Sequence, residues 1–184
     1  MPDFLNRNWE ESLARYDAFW NRSVLDRPLV SLTLPGDGRP IPQKTYATYK
    51  ERWLDVDFRA ERDDALMRAC TWYGDAAPVV FPNLGPEIFS AWCGCGYEYG
   101  ETTTWSIPCV DDWERDADRA VFDPEHPLFQ MLLRYTDLLI EKSRGDYIVG
   151  LTDLHPGGDH LAALRDPQRL ALDMIDCPEH VAQK

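Results

Sequence analysis

Three short apolar runs punctuate this sequence, and segments with a helical period separate them. The runs are Leu29–Leu34, Ala76–Phe81 and Tyr147–Leu151. Each is too short to be a buried helix and is bounded by Pro, Gly or polar residues, so each reads as a buried strand. Pro78 fits only near the start of its strand, because it has no N–H to give a ladder. The separating segments are amphipathic. Residues 6–22 place Trp9, Leu13, Tyr16 and Trp20 on one stripe. Over 57–73, Phe58, Ala65, Leu66, Ala69, Cys70 and Tyr73 share a face, with Gly74 as the C′ residue. The clearest helix spans 124–144, carrying Leu128, Met131, Leu132, Tyr135, Leu138 and Leu139. Asp123 is its N-cap candidate and Pro124 takes the first helical position. Strands alternating with helices predict parallel βαβ units in an α/β fold, with ligands bound beyond the carboxyl ends of the strands.

Those ends carry Pro35-Gly36, Pro82-Asn83 and the stretch TDLHPGGDH at 152–160. The last holds two acids and two histidines. An imidazole has an unperturbed pKa near neutrality, which suits His155 to be a general base or a ligand, while Asp153 can orient a substrate or hold an imidazole. Gly157-Gly158 lets the backbone turn into a helix with Asp159 as N-cap, and His160 falls on that helix. Asp166-Pro167 restarts a helix by the same logic, and Cys177-Pro178-Glu179 begins another. Residues 82–110 are rich in Gly and aromatics. There Tyr97 to Trp105 predicts a hairpin turning near Gly100, and Trp92, Tyr97, Tyr99 and Trp105 are either pocket walls or the local core. Asn83 either bonds a ligand or makes a turn with Pro82.

The chain has 184 residues with 19 Lys plus Arg against 32 Asp plus Glu, a formal charge of −13. That balance argues against nucleic acid, whose phosphates need a basic surface, and against anionic membrane surfaces. No run approaches the ~20 apolar residues of a membrane span, and the first residues lack a secretory pattern. Five cysteines with no framework spacing predict free thiols in a reducing cytoplasm. Cys93-Gly94-Cys95 has the wrong spacing for zinc and no second ligand pair, so it reads as two buried thiols. The phosphate-binding, nucleophile-elbow and H-E-x-x-H motifs are missing from the sequence.

Three stretches carry a family resemblance: DAAPVVFPNLGPEIFSAWCGCGYEY (75–99), TTTWSIP (102–108) and YIVGLTDLHPGGDHLAALRDPQRLALDMIDCPEHV (147–181). They resemble the N-terminal part of the uroporphyrinogen decarboxylase superfamily, in its decarboxylase-like branch. The resemblance implies part of a (β/α)8 TIM-type barrel: about three strands, helix 1–23 and an insertion after the second strand, the whole of 1–184 being one incomplete domain. It implies a carboxy-lyase acting on a tetrapyrrole-like or small substrate. Asp153 and His155 would be its catalytic groups, and Asn83, Trp92, Trp105 and Asp159 its substrate contacts. A related branch transfers methyl groups to or from a corrinoid protein and binds zinc through residues in the later half of the barrel. Zinc and a corrinoid therefore belong to a longer protein, and no metal ligand is expected in this segment. A third reading is a ligand-binding barrel without chemistry. Two positions depart from the decarboxylase pattern. The arginine-rich loop after the first strand is replaced by LTLPGDGRP, with Arg39 alone nearby. Asn83 stands where an aspartate holds the pyrrole nitrogens, and an amide cannot supply that negative charge. Unpaired strand edges would also favour self-association, a homodimer or aggregation.

Overall fold

The computed structural model describes residues 9–36 and 38–182. In chain order the elements are α1 Trp9–Trp20, β1 Ser31–Leu34, α2 Tyr49–Leu54, α3 Val56–Ala69, β2 Thr71–Gly74, β3 Val79–Val80, α4 Ile88–Trp92, β4 Gly96–Tyr99, β5 Thr104–Ile107, α5 Trp113–Asp116, α6 Pro127–Ser143, β6 Ile148–Val149, α7 Gly158–Arg165, α8 Pro167–Asp176 and α9 Pro178–Ala182. The class is mixed α/β. Among the described residues the strands form three two-stranded ladders and no closed barrel. The chain divides into two compact units. The first gathers described residues of Met1–Lys44, Asp57–Pro82 and Tyr135–Leu151; the second, those of Thr45–Val56, Asn83–Arg134 and Thr152–Lys184.

In the first unit β3 and β6 pair in parallel, Val79 against Ile148 and Val80 against Val149, as the alternating pattern predicts. Pro78 sits just before β3, where its carbonyl accepts from Ile148 N at 2.9 Å and its missing N–H costs nothing. The third expected parallel strand is a correction. β1 leaves this ladder and pairs antiparallel with β2, Leu34 opposite Thr71 and Ser31 opposite Gly74. Thus Leu34 does not end a strand neighbouring those of Phe81 and Leu151. The helix expected over 57–73 correspondingly stops at Ala69. Thr71, Trp72 and Tyr73 are β-branched or aromatic and favour a strand once a partner is present. Gly74 has φ +64, and a Cβ there would strike the Val30 carbonyl, so only glycine closes this turn.

Asp75 explains why β1 is held there. Its side chain is fully buried and its carboxylate accepts from Ser12 Oγ (3.0 Å), Arg15 Nη1 (3.2 Å), Arg27 Nη1 (2.7 Å) and Val30 N (3.2 Å). The Asp75 N–H donates to Val30 O at 2.6 Å. A buried carboxylate must collect donors, and this one turns α1 round. The inward face of α1 is Ser12, Arg15 and Tyr16, whereas Leu13 and Trp20 of the expected apolar stripe are 61% and 78% exposed. Residues 6–8 of that expected helix lie outside the described residues.

The predicted stripe of α6 is buried at Leu132, Tyr135 and Leu139. Its start moves from Pro124 to Pro127, because Asp123 Oδ1 caps a preceding turn through Glu125 N at 2.9 Å. Within the first unit, α3 is stitched by polar contacts. Tyr147 Oη donates to Asp64 (3.0 Å), Arg68 Nη1 to Asp146 (2.7 Å), and Tyr135 Oη to Asp63.

The second unit contains the predicted hairpin, β4 paired with β5 from Gly96↔Ile107 to Tyr99↔Thr104. Its core joins Cys93, Cys95, Val110, Trp113, Leu164 and Leu170. Arg165 and Trp113 donate to the carboxylate of Asp173 at 2.6 and 2.7 Å, which fixes α8 beside α5. No helix among the described residues is long and apolar enough to cross a membrane.

Candidate functional site

A cleft of about 520 Å³ opens in the second unit. One wall is the loop into α4 and its first turns, with Glu87, Phe89 and Ser90. Another is the end of β5, with Trp105, Ser106 and Pro108. The third is the segment from His155 through α7 to Asp166 and Pro167. Local sequence explains each wall. The Glu87 carboxylate accepts from Ser106 N, tying the α4 loop to β5. Gly157 has φ +69 and turns the chain into α7, where Leu161 N donates to Gly157 O at 3.0 Å. Asp166 holds a left-handed φ of +88, and its Oδ1 caps α8 through Gln168 N (2.9 Å) and Arg169 N (3.1 Å). A non-glycine residue there is strained, and the double cap holds it.

Three of the six residues singled out from sequence meet in this cleft: His155, Asp159 and Trp105. A fourth, Asp153, sits beside them, its Oδ1 3.1 Å from His155 Nε2. That contact holds the orientation of the imidazole ring. Asp159 is not the N-cap of α7. The cap position is Gly157, and Asp159 stands in the first turn, where its negative charge complements the helix dipole. Asn83 and Trp92 do not line the cleft. Asn83 Oδ1 accepts from Gly85 N at 2.8 Å, a local turn. Trp92 is 3% exposed and packs edge-on against Phe89, Phe122 and Phe129, at 5.0 Å from the last. It is local core, because α4 turns it inward beside the residues preceding α6. Tyr97 likewise serves packing: its hydroxyl meets Thr104 Oγ1 at 2.6 Å and donates to Leu84 O at 3.1 Å.

Sequence reasoning missed Ser90. It is 2% exposed, lines the cleft, and bonds His160 Nδ1 at 2.9 Å from a position 70 residues away. No local pattern marks such a pair. Burial pushes the His160 imidazole below its ordinary value. The Phe89 ring, 4.7 Å from that of His160, keeps the imidazole in place.

The cleft's charge is one-sided. Glu87, Asp159 and Asp166 line it, and no Lys or Arg does among the described residues. Such a wall disfavours a ligand that carries several carboxylates. No group of three or more His, Cys, Asp or Glu side chains converges among the described residues as a metal would require. Cys93 and Cys95 are buried thiols at 3% and 6% exposure. Compared with family models, curated proteins and solved structures, the chain matches none of them.

Proposed function

We propose that this chain belongs to a small-molecule lyase of the uroporphyrinogen decarboxylase superfamily, its strands and helices forming the opening part of a (β/α)8 barrel. The observation that carries the reading is the His155–Asp153 pair, 3.1 Å apart, with His155 on the wall of a 520 Å³ cleft. The parallel β3–β6 pair and the order of elements support it. Decarboxylation needs a proton donor at the carbon that loses carbon dioxide. His155 is placed to deliver that proton, with Asp153 orienting its ring, while Trp105 provides a flat apolar wall and Asp159 a hydrogen-bond acceptor. The substrate is a small monoacid rather than uroporphyrinogen itself. Among the described residues no Lys or Arg lines the cleft to hold a row of carboxylates, and Asn83 is engaged in its own turn.

The test is carbon dioxide release from a panel of small heteroaromatic carboxylic acids, with uroporphyrinogen alongside and binding followed by Trp105 fluorescence. His155→Gln is expected to lower turnover about 10²-fold with binding retained. Asp153→Asn should cause a smaller loss, because it misorients the ring without removing it. No release from any acid of the panel, or release that His155→Gln leaves at the wild-type rate, would refute the proposal.

A further inference from the structure

Cys95 and Cys109 flank the β4–β5 hairpin. Cys95 immediately precedes β4 and Cys109 follows β5 by one residue, Pro108. Their sulfur atoms lie 3.3 Å apart. The flanking backbone is pinned. Cys109 N and Val110 N both donate to Leu164 O at 2.9 Å, and Cys95 Sγ reaches Ala163 O at 3.6 Å. We propose that this pair is an oxidation site, which a low-molecular-weight disulfide converts to an intrachain Cys95–Cys109 bridge closing the open end of the hairpin. Forming the bond asks the sulfurs to approach to about 2.05 Å, a movement two side-chain rotations can share.

The two thiols have different roles. Cys109 is partly exposed and Cys95 is 6% exposed, so the reagent reaches Cys109 first. Cys109 gives up its proton to solvent and attacks one sulfur of the small disulfide. That S–S bond breaks, one half leaves as a thiol, and the other stays on Cys109. Cys95 then loses its proton, attacks Cys109 Sγ and expels the second half. Two protein thiols are oxidised and one small disulfide is reduced to two thiols. Burial, reinforced by the neighbouring Cys109, pushes the Cys95 thiol up, which disfavours it for the first attack. The bridge would close the loop carrying Trp105, Ser106 and Pro108, all on the cleft wall, so oxidation fixes one side of the cleft.

The experiment treats the full chain with oxidised glutathione, then counts thiols and maps non-reduced peptides by mass spectrometry. Of the five cysteines, two enter the bridge and three thiols remain. The expected map links Cys95 to Cys109, dithiothreitol reverses it, and amide exchange within the β4–β5 hairpin slows in the oxidised form. Cys93→Ser should bridge as the wild type does, whereas Cys95→Ser should stop at a glutathione mixed disulfide on Cys109. A persistent mixed disulfide on Cys109 of the wild type overturns the proposal. So does a link to Cys93 or Cys177, or no bridge in protein whose circular dichroism is native.

Discussion

Replacing Asp75 with Ala removes one carboxylate that four donors share: Ser12, Arg15, Arg27 and the Val30 backbone. Its side chain has no exposed surface, and the Arg15 side chain is 12% exposed. Breaking a buried ion pair from one side costs about 3–5 kcal/mol, mostly because the partner is left unpaired. Here the lower end applies. Arg15 keeps Asp26 at 2.8 Å, and Arg27 is 38% exposed and can rehydrate. The expected loss is therefore about 3 kcal/mol, a large share of the ~5–15 kcal/mol that holds a domain together. Urea denaturation at neutral pH, followed by circular dichroism, reads it as a shifted midpoint. The pH dependence gives an independent check. Arg27, Arg15, Ser12 and the Val30 amide hold the Asp75 carboxyl well below its ordinary 3.8, overcoming the opposing effect of burial. A depressed folded-state value means the stabilisation is fully present above 3.8 and drains away as pH falls below it. Asp75→Asn should thus show a shallower acid loss than wild type below pH 3.8. A cost under about 1 kcal/mol for Asp75→Ala would refute this account of how α1 and β1 are anchored.

Gly85 has φ +112, and a Cβ there would collide with Thr104 Oγ1 and the Tyr97 hydroxyl. Gly85→Ala should cost about 3 kcal/mol in urea denaturation, and a neutral substitution would contradict the packing described. Asp173→Ala strips the buried Trp113 indole and Arg165 of their acceptor. A loss of about 2–3 kcal/mol and a changed Trp113 emission are expected, against an unchanged spectrum if the contact is immaterial. The Arg165 hydrogen bond keeps the Asp173 carboxyl below its ordinary value, so this contribution also fades below pH 3.8. Leu32, Leu34, Val79, Phe81, Ile148 and Leu151 are exposed on or beside two-stranded ladders with open edges. Sedimentation should show concentration-dependent association; a single monomeric species at high micromolar concentration would count against it.

The parts of this protein legible from its residues are those set by near neighbours. The α6 stripe, the hairpin turning near Gly100, the Asp166-Pro167 restart and the strand at Val79–Val80 follow from periodicity and turn chemistry over a few positions. His155, Asp159 and Trp105, which line the cleft, lie at local signals, a strand end and an aromatic hairpin. Tertiary structure decided the rest. Thr71–Gly74 is a strand only because Ser31–Leu34 lies alongside it. The inward face of α1 was chosen by a carboxylate some 60 residues downstream, and Ser90 gained its meaning from His160, 70 residues away. Hydrophobic periodicity reports how a segment would bury itself. It carries no information about a buried charge elsewhere in the chain, and a buried charge left without partners costs more than exposing a leucine and a tryptophan.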